Sequence, residues 1–332
     1  MHILEAQQFS RDWLEGELFP LAERLAEGEL VGERPLRDRR LFWLFYEPST
    51  RTRVSFESAM ALLGGSASGL EVSTHPEELV SERLEDRVRV LNDYEYDFIL
   101  LRYHQEGGAR RAAAVSRVPI INAGDGAGQH PTQALLDVFT MRREIGRLDG
   151  LSVALVGDLT FERTTNSLAY LLAGFRELRL YLVSPETLRV RSDVREYLDA
   201  RDARYKELRD LREVAAKLDV VYVTRAHTGR LQHALRFEPS EGFYAITREV
   251  MDLLPEHAIV MHPLPRGEEL PPELDDDPRI ACFRQARHGL AIRMALLCLL
   301  LDGGRRTADG GRRGGGRRSS LGRRRSSRRA DR

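Results

Sequence analysis

The sequence predicts an α/β fold of two domains, each a parallel sheet flanked by helices, followed by a disordered basic C-terminal tail. Three observations carry this reading. Short apolar runs of strand length alternate with amphipathic helical stretches through most of the chain. That rhythm pauses at Gly146-Arg147-Leu148-Asp149-Gly150 and then restarts. Beyond residue 302 the composition turns abruptly to arginine, glycine and serine.

Residues 41–46 (LFWLFY) form a continuous apolar run that reads as a buried strand. Glu47-Pro48-Ser49-Thr50 ends it, and Phe56, Met60 and Leu63 then share one helical face. Residues 98–101 (FILL) and 119–122 (PIIN) read as two more buried strands. A helix opens at His130-Pro131-Thr132-Gln133 and runs to residue 146 on Leu135, Leu136, Val138, Phe139 and Met141. Its proline sits in the first turn, where the missing N–H has no helical partner to lose. After the pause, residues 152–156, 179–183, 219–223 and 258–261 read as strands separated by helices. A last helical run, residues 291–301, is expected to pack back onto the first domain. The implied divisions are 1–145, 146–285, 286–302 for the closing helix and 303–332 for the tail.

At 332 residues the chain has room for two cores. No apolar run approaches the roughly 20 residues of a membrane-spanning helix, and the acidic start does not read as a signal peptide. Cys282 and Cys298 are too few for a disulfide framework or a metal cluster, so a cytoplasmic location is expected. The zero net charge conceals a division. Residues 303–332 hold twelve arginines against Asp309 and Asp331, so the rest of the chain carries an excess of ten acids. No aromatic side chain interleaves with these arginines, and nucleic-acid binding by the tail is not expected; a solvated extension is.

Six elements carry chemistry. Ser49, Thr50, Arg51 and Thr52 lie at a helix start directly after a buried strand, where unpaired N–H groups and a partial positive charge attract phosphate. Arg51 can add a bidentate fork; the same residues would also make an ordinary capped helix with surface arginines. The glycine-rich stretch from Asn122 to Gln129 leads into His130 and Gln133, which can point at one small polar ligand, although His130 alone would serve as a structural cap. Arg102 ends a buried strand, the place where ligands collect in open α/β sheets. Arg163 and Arg225 follow second-domain strands and suit a substrate with carboxylates; Arg163 alone reads as a surface residue. His262-Pro263-Leu264-Pro265-Arg266 forms a rigid loop after the fourth second-domain strand.

Together these elements resemble the aspartate carbamoyltransferase family from about residue 5 to residue 302. The matching motifs are STRTR at 49–53, RYHQEG at 102–107, NAGDG..QHPTQ.LLD at 122–137, VGDL...RT at 156–164 and HPLPR at 262–266. Ornithine-using relatives usually carry cysteine where Pro263 stands, which favours the aspartate branch. The resemblance implies that the carbamoyl group of carbamoyl phosphate passes to the amino group of an amino acid, L-aspartate foremost, in pyrimidine biosynthesis. By the same resemblance, Ser49, Thr50, Arg51 and Thr52 hold the phosphate. Arg102 and His130 approach the carbonyl oxygen, and Gln133 with the Pro263–Leu264 backbone takes the amino group. Arg51, Arg102 and His130 are the implied catalytic residues, and Arg163, Arg225 and His227 would hold the acceptor. The first domain would then bind carbamoyl phosphate and the second the amino acid, with no metal and no organic cofactor. A homotrimer whose active sites are each completed by a neighbour's loop is implied, alone or within a larger assembly. That loop departs from the family: aligned on Glu82, Leu84 and Asp86, the family's lysine falls on Val80. The family's Arg-x-Gln likewise appears as Arg225-Ala226-His227. These two departures leave room for a diamino-acid acceptor, or for a catalytically weak structural subunit.

Overall fold

The computed structural model describes residues 1–29, 32–72, 82–225 and 244–312, with residues 302–312 as backbone only. A helical segment over residues 11–26 opens the fold, π-wound at Leu14–Leu18 and ending as α1 (Phe19–Ala26). There follow β1 (Arg40–Phe45), α2 (Thr50–Leu62), β2 (Ser66–Glu71), α3 (Leu84–Asp93), β3 (Phe98–Tyr103), α4 (Gly108–Ala113), β4 (Ile120–Asp125) and α5 (Pro131–Ile145). Gly146, at φ +83°, ends α5 in the left-handed conformation that costs glycine little. The second series comprises β5 (Ser152–Val156), α6 (Arg163–Leu172), β6 (Arg179–Val183), α7 (Ser192–Asp199), β7 (Arg204–Leu208), β8 (Val220–Val223), α8 (Arg248–Leu253), β9 (Ile259–Met261) and α9 (Cys282–Arg312).

The strands form two sheets, ordered β2-β1-β3-β4 and β7-β6-β5-β8-β9, and every pairing is parallel. Inner strands are mostly apolar because helices cover both faces, and β5 is buried at every residue; β4, at the edge of its sheet, is also buried at every residue although it carries Asn122 and Asp125. The strand order reverses between β1 and β3 in the first sheet and between β5 and β8 in the second. At such a switch point the connections leave to opposite sides, and a crevice opens beyond the carboxyl ends of the strands.

The expected strands 152–156 and 179–183 coincide with β5 and β6. Two strands were not anticipated, β2 (SASGLE) and β7 (RYKEL). Both lie at sheet edges and alternate between exposed and half-buried positions over most of their length, so neither has an apolar run to betray it.

Both sheets share one hydrophobic cluster, in which Leu135 and Phe139 of α5 meet Leu168 and Leu172 of α6 and Ile292 and Leu296 of α9. The Phe19 and Phe139 rings lie 5.5 Å apart and fasten α1 to α5. The closing helix α9 packs on α1, α2 and α5. It begins nine residues before the expected start, because Arg284, Arg287 and His288 break the apolar pattern of its first turns. Its backbone also continues through 303–312, so the helix runs ten residues into the segment read as tail. Residues 313–332 lie outside the described residues, as do Val80 and His227. Among the described residues, no helix is long and apolar enough to cross a membrane.

Candidate active site

The two switch points deliver their residues to one cleft of about 770 Å³. From the first sheet come Ser49, Thr50, Arg51 and Thr52 after β1, and Arg102 at the end of β3. From the second come Arg163 after β5 and Arg225 after β8. His130 and Gln133 at the start of α5, and Pro263 and Leu264 after β9, complete the lining. Every described residue singled out by sequence for this site therefore lines the same cleft.

At the donor end, α2 starts at Ser49, whose side chain makes no capping hydrogen bond. The first bond of this turn runs from Arg53 N–H to the Ser49 carbonyl at 3.1 Å. The N–H groups before it therefore have no intrahelical partner, and they bring the positive end of the helix dipole to the cleft. Ser55 turns its hydroxyl inward, donating to the Arg51 carbonyl at 2.6 Å. The Arg51 side chain is exposed at the cleft mouth. Its pKa is pushed down by partial desolvation and then by Arg225 across the cleft.

Arg102 sits where the pairing of β3 with β4 shifts register between Leu101 and Tyr103. Such irregularities re-aim a side chain. Its Nη1 donates to the Ala123 carbonyl at 3.0 Å, and its Nη2 lies 3.4 Å from Glu47 Oε2. Burial, then Arg163, lowers the Arg102 pKa to about 9, against the opposing pull of Glu47; the group stays cationic at neutral pH. Arg163 opens α6 and reaches across to the first sheet. Both of its Nη atoms donate to Glu47 Oε2 at 3.1 Å, and Nη1 also donates to the Gly126 carbonyl at 2.8 Å. Gly124, at φ +113°, makes room for both cations: a Cβ there would lie 2.7 Å from Arg163 Nε and 3.2 Å from Arg102 Nη1. Glu47, which draws the two guanidinium groups together, was not singled out from sequence.

His130 precedes α5, its backbone N–H donating to Ser167 Oγ at 2.8 Å. Its ring is buried, and burial, with Arg163, Arg102 and Arg293, holds its pKa well below 6.5. The imidazole is therefore neutral. Thr132 Oγ1 lies 3.4 Å from Nδ1. A hydrogen bond donated there by Thr132 would leave the ring proton on Nε2. Gln133 donates through Nε2 to Asp137 Oδ1 at 2.9 Å. Asp137 is fully buried, and burial raises its carboxyl pKa to about 7 against hydrogen bonds from Gln285, Tyr222 and Gln133. Arg293, a buried cation on α9 lining the cleft, has its pKa lowered to about 10 by burial, with Asp137 opposing.

After β9, His262 Nδ1 accepts from Leu264 N–H at 2.8 Å and its Nε2 lies 3.0 Å from Glu269 Oε1. Leu264 is thereby held at φ +54°, a left-handed conformation costing a non-glycine residue about 1–2 kcal/mol.

Two family models match the chain. One, described as "Aspartate/ornithine carbamoyltransferase, carbamoyl-P binding domain", covers residues 1–143. The other, "Aspartate/ornithine carbamoyltransferase, Asp/Orn binding domain", covers residues 149–300. The chain belongs to the aspartate/ornithine carbamoyltransferase family.

Within this family the chain is 48% identical over 305 residues to the chloroplastic aspartate carbamoyltransferase 1 of Pisum sativum, covering 91% of this chain and 78% of that protein. It is 39% identical to the catalytic subunit of M. jannaschii aspartate transcarbamoylase, whose structure aligns at a TM-score of 0.80 over 92% of this chain and 99% of that one. Aspartate transcarbamoylase of Trypanosoma cruzi, solved with carbamoyl phosphate and aspartate, aligns at 0.82 with 38% identity over 90% and 95% of the two chains. The same enzyme is also known in complex with N-(phosphonacetyl)-L-aspartic acid. The expectation of a cytoplasmic location is corrected by these comparisons: relatives at 47–48% identity, from Pisum sativum and Oryza sativa among others, are chloroplastic enzymes. Sparse free cysteines suit any reducing compartment and so do not choose among compartments.

Proposed function

We propose that this protein is a carbamoyltransferase that converts carbamoyl phosphate and L-aspartate to N-carbamoyl-L-aspartate and phosphate, a step of pyrimidine biosynthesis. One observation carries the reading: an open helix N-terminus with Arg51, the Arg102–His130 pair, and Arg163 with Arg225 from the other sheet all meet in one cleft. In this reading Ser49, Thr50, Arg51 and Thr52 seat the phosphate on the first turn of α2. Arg102 and the Nε2–H of neutral His130 take the carbonyl oxygen. Gln133 Oε1 and the carbonyls of Pro263 and Leu264 accept from the carbamoyl NH₂. Arg163, Arg225 and His227 receive the acceptor's carboxylates, and Arg163 shares its fork between substrate and Glu47.

The α-amino group attacks the carbonyl carbon, a C–N bond forms, and negative charge grows on an oxygen already faced by Arg102 and His130. The C–O bond to phosphate then breaks. The electron pair leaves with the phosphate, beside Arg51 and the helix dipole, and the surplus amine proton can follow it. Holding two reactants in one cleft supplies much of the remaining acceleration. Residues 1–145 would supply the donor half and 146–285 the acceptor half. A homotrimer with shared active sites belongs to the same proposal, supported by the family resemblance.

N-(phosphonacetyl)-L-aspartic acid joins a phosphonate to an aspartate and so tests both halves at once. It is expected to bind at least about a hundredfold more tightly than inorganic phosphate in calorimetry. Binding no tighter than phosphate would remove aspartate recognition from the acceptor half.

A further inference from the structure

Asp137 lies one turn beyond Gln133 on α5, buried where α5, β8 and α9 meet. Its Oδ1 accepts from Gln133 Nε2 at 2.9 Å and from Gln285 Nε2 at 2.6 Å, and its Oδ2 accepts from the Tyr222 hydroxyl at 2.8 Å. An ionised carboxylate can only accept. Both glutamines must therefore turn their NH₂ groups toward it, which fixes where their oxygens point. Gln133, which lines the cleft, keeps Oε1 for the ligand. Gln285 uses Oε1 to hold the backbone N–H of His262 at 2.9 Å. His262 in turn holds Leu264 N–H, and so fixes the loop that carries the Pro263 and Leu264 carbonyls.

We propose that Asp137 is a positioning residue that makes the donor site select a carbamoyl over an acetyl group, by fixing both sets of acceptors that face the carbamoyl NH₂. The inference rests on the placement of carbamoyl phosphate proposed above. Acetyl phosphate has nearly the same shape and the same phosphate, but a methyl group replaces the NH₂ and can donate nothing. A Gln133 amide turned the other way would set donor against donor for carbamoyl phosphate, yet would scarcely affect acetyl phosphate. Asp137 does not itself line the cleft, whereas Gln133 and Gln285 do, and it acts through them.

The test is calorimetric binding of carbamoyl phosphate, acetyl phosphate and inorganic phosphate to the full chain at pH 8 without acceptor, where the carboxyl is ionised. Asp137→Leu has a similar size but removes both carboxylate acceptors, so neither glutamine amide is held in one orientation. Its affinity for carbamoyl phosphate is expected to fall by about tenfold or more, while affinity for acetyl phosphate and phosphate changes less than about twofold. A merely structural role would weaken all three together, and that parallel loss overturns the inference, as does unchanged discrimination. Should Asp137→Leu fail to fold, Gln285→Met takes its place, since it leaves Asp137 two donors and frees only the His262 loop. The same selective loss is expected there, and a parallel loss again overturns the inference. A wild type that binds neither acyl phosphate overturns the proposed function and this inference with it. A wild type that discriminates, with variants that discriminate equally, overturns this inference alone.

Discussion

Replacing Arg51 with alanine is expected to lower kcat by about a hundredfold or more while leaving the fold and its stability nearly unchanged. The side chain is exposed at the cleft mouth, and among the described residues its guanidinium makes no hydrogen bond that folding depends on. Its loss also relieves repulsion from Arg225, so the stability change should stay within about 0.5 kcal/mol of zero. The rate is another matter, because charge on the departing phosphate grows beside Arg51 as the C–O bond breaks. Ground-state phosphate keeps the backbone N–H groups of α2, so KM for carbamoyl phosphate should rise less than kcat falls. Steady-state kinetics with a thermal melt of the same sample check both halves. Near-normal turnover would move the leaving group away from this helix.

His130→Ala is expected to cost a similar factor, about a hundredfold in kcat, by removing a preorganised donor to the carbonyl oxygen. Its pH behaviour follows from its surroundings. Burial and three arginines hold the folded-state pKa well below 6.5, so the imidazole stays neutral as pH falls through that value. The unfolded chain takes up a proton there and the folded chain does not. The stability contribution is therefore complete above the unfolded pKa near 6.5 and is lost as pH falls below it, by about 1.4 kcal/mol per pH unit. Nitrogen-15 NMR of the imidazole should show the neutral, Nε2-protonated ring at pH 6. An imidazolium signal growing in around pH 6.5 would contradict the buried, arginine-flanked site.

The legibility of this fold in its sequence follows burial. Strands β5 and β6 could be bounded at both ends because inner strands are apolar on two faces, whereas β2 and β7 at the edges left no such run. The cleft arginines were legible for a related reason, since Arg102, Arg163 and Arg225 each follow an apolar strand and so stand where parallel sheets place their ligands. Glu47, Asp137, Gln285 and Arg293 were not, because what each does depends on partners far along the chain, such as Arg163 for Glu47 and Tyr222 with Gln285 for Arg293's neighbour Asp137. A signal was nevertheless present. Asp137 interrupts the run ALLDVF and Arg293 the run LAIRMALL, and an ion inside a helix face that must be buried needs a partner. The location was misread because cysteine usage reports redox state and not the compartment itself.

Carbamoyl transfer to a panel of amino acids tests the central claim most directly, with L-aspartate, L-ornithine, L-lysine and shorter diamino acids offered in turn beside carbamoyl phosphate. Val80 and His227, where the family has lysine and glutamine, make the choice of acceptor the sharpest question. The account predicts N-carbamoyl-L-aspartate and phosphate in equal amounts, with kcat/KM for L-aspartate above that of every diamino acid. No carbamoyl transfer, or a higher kcat/KM for a diamino acid, would contradict it.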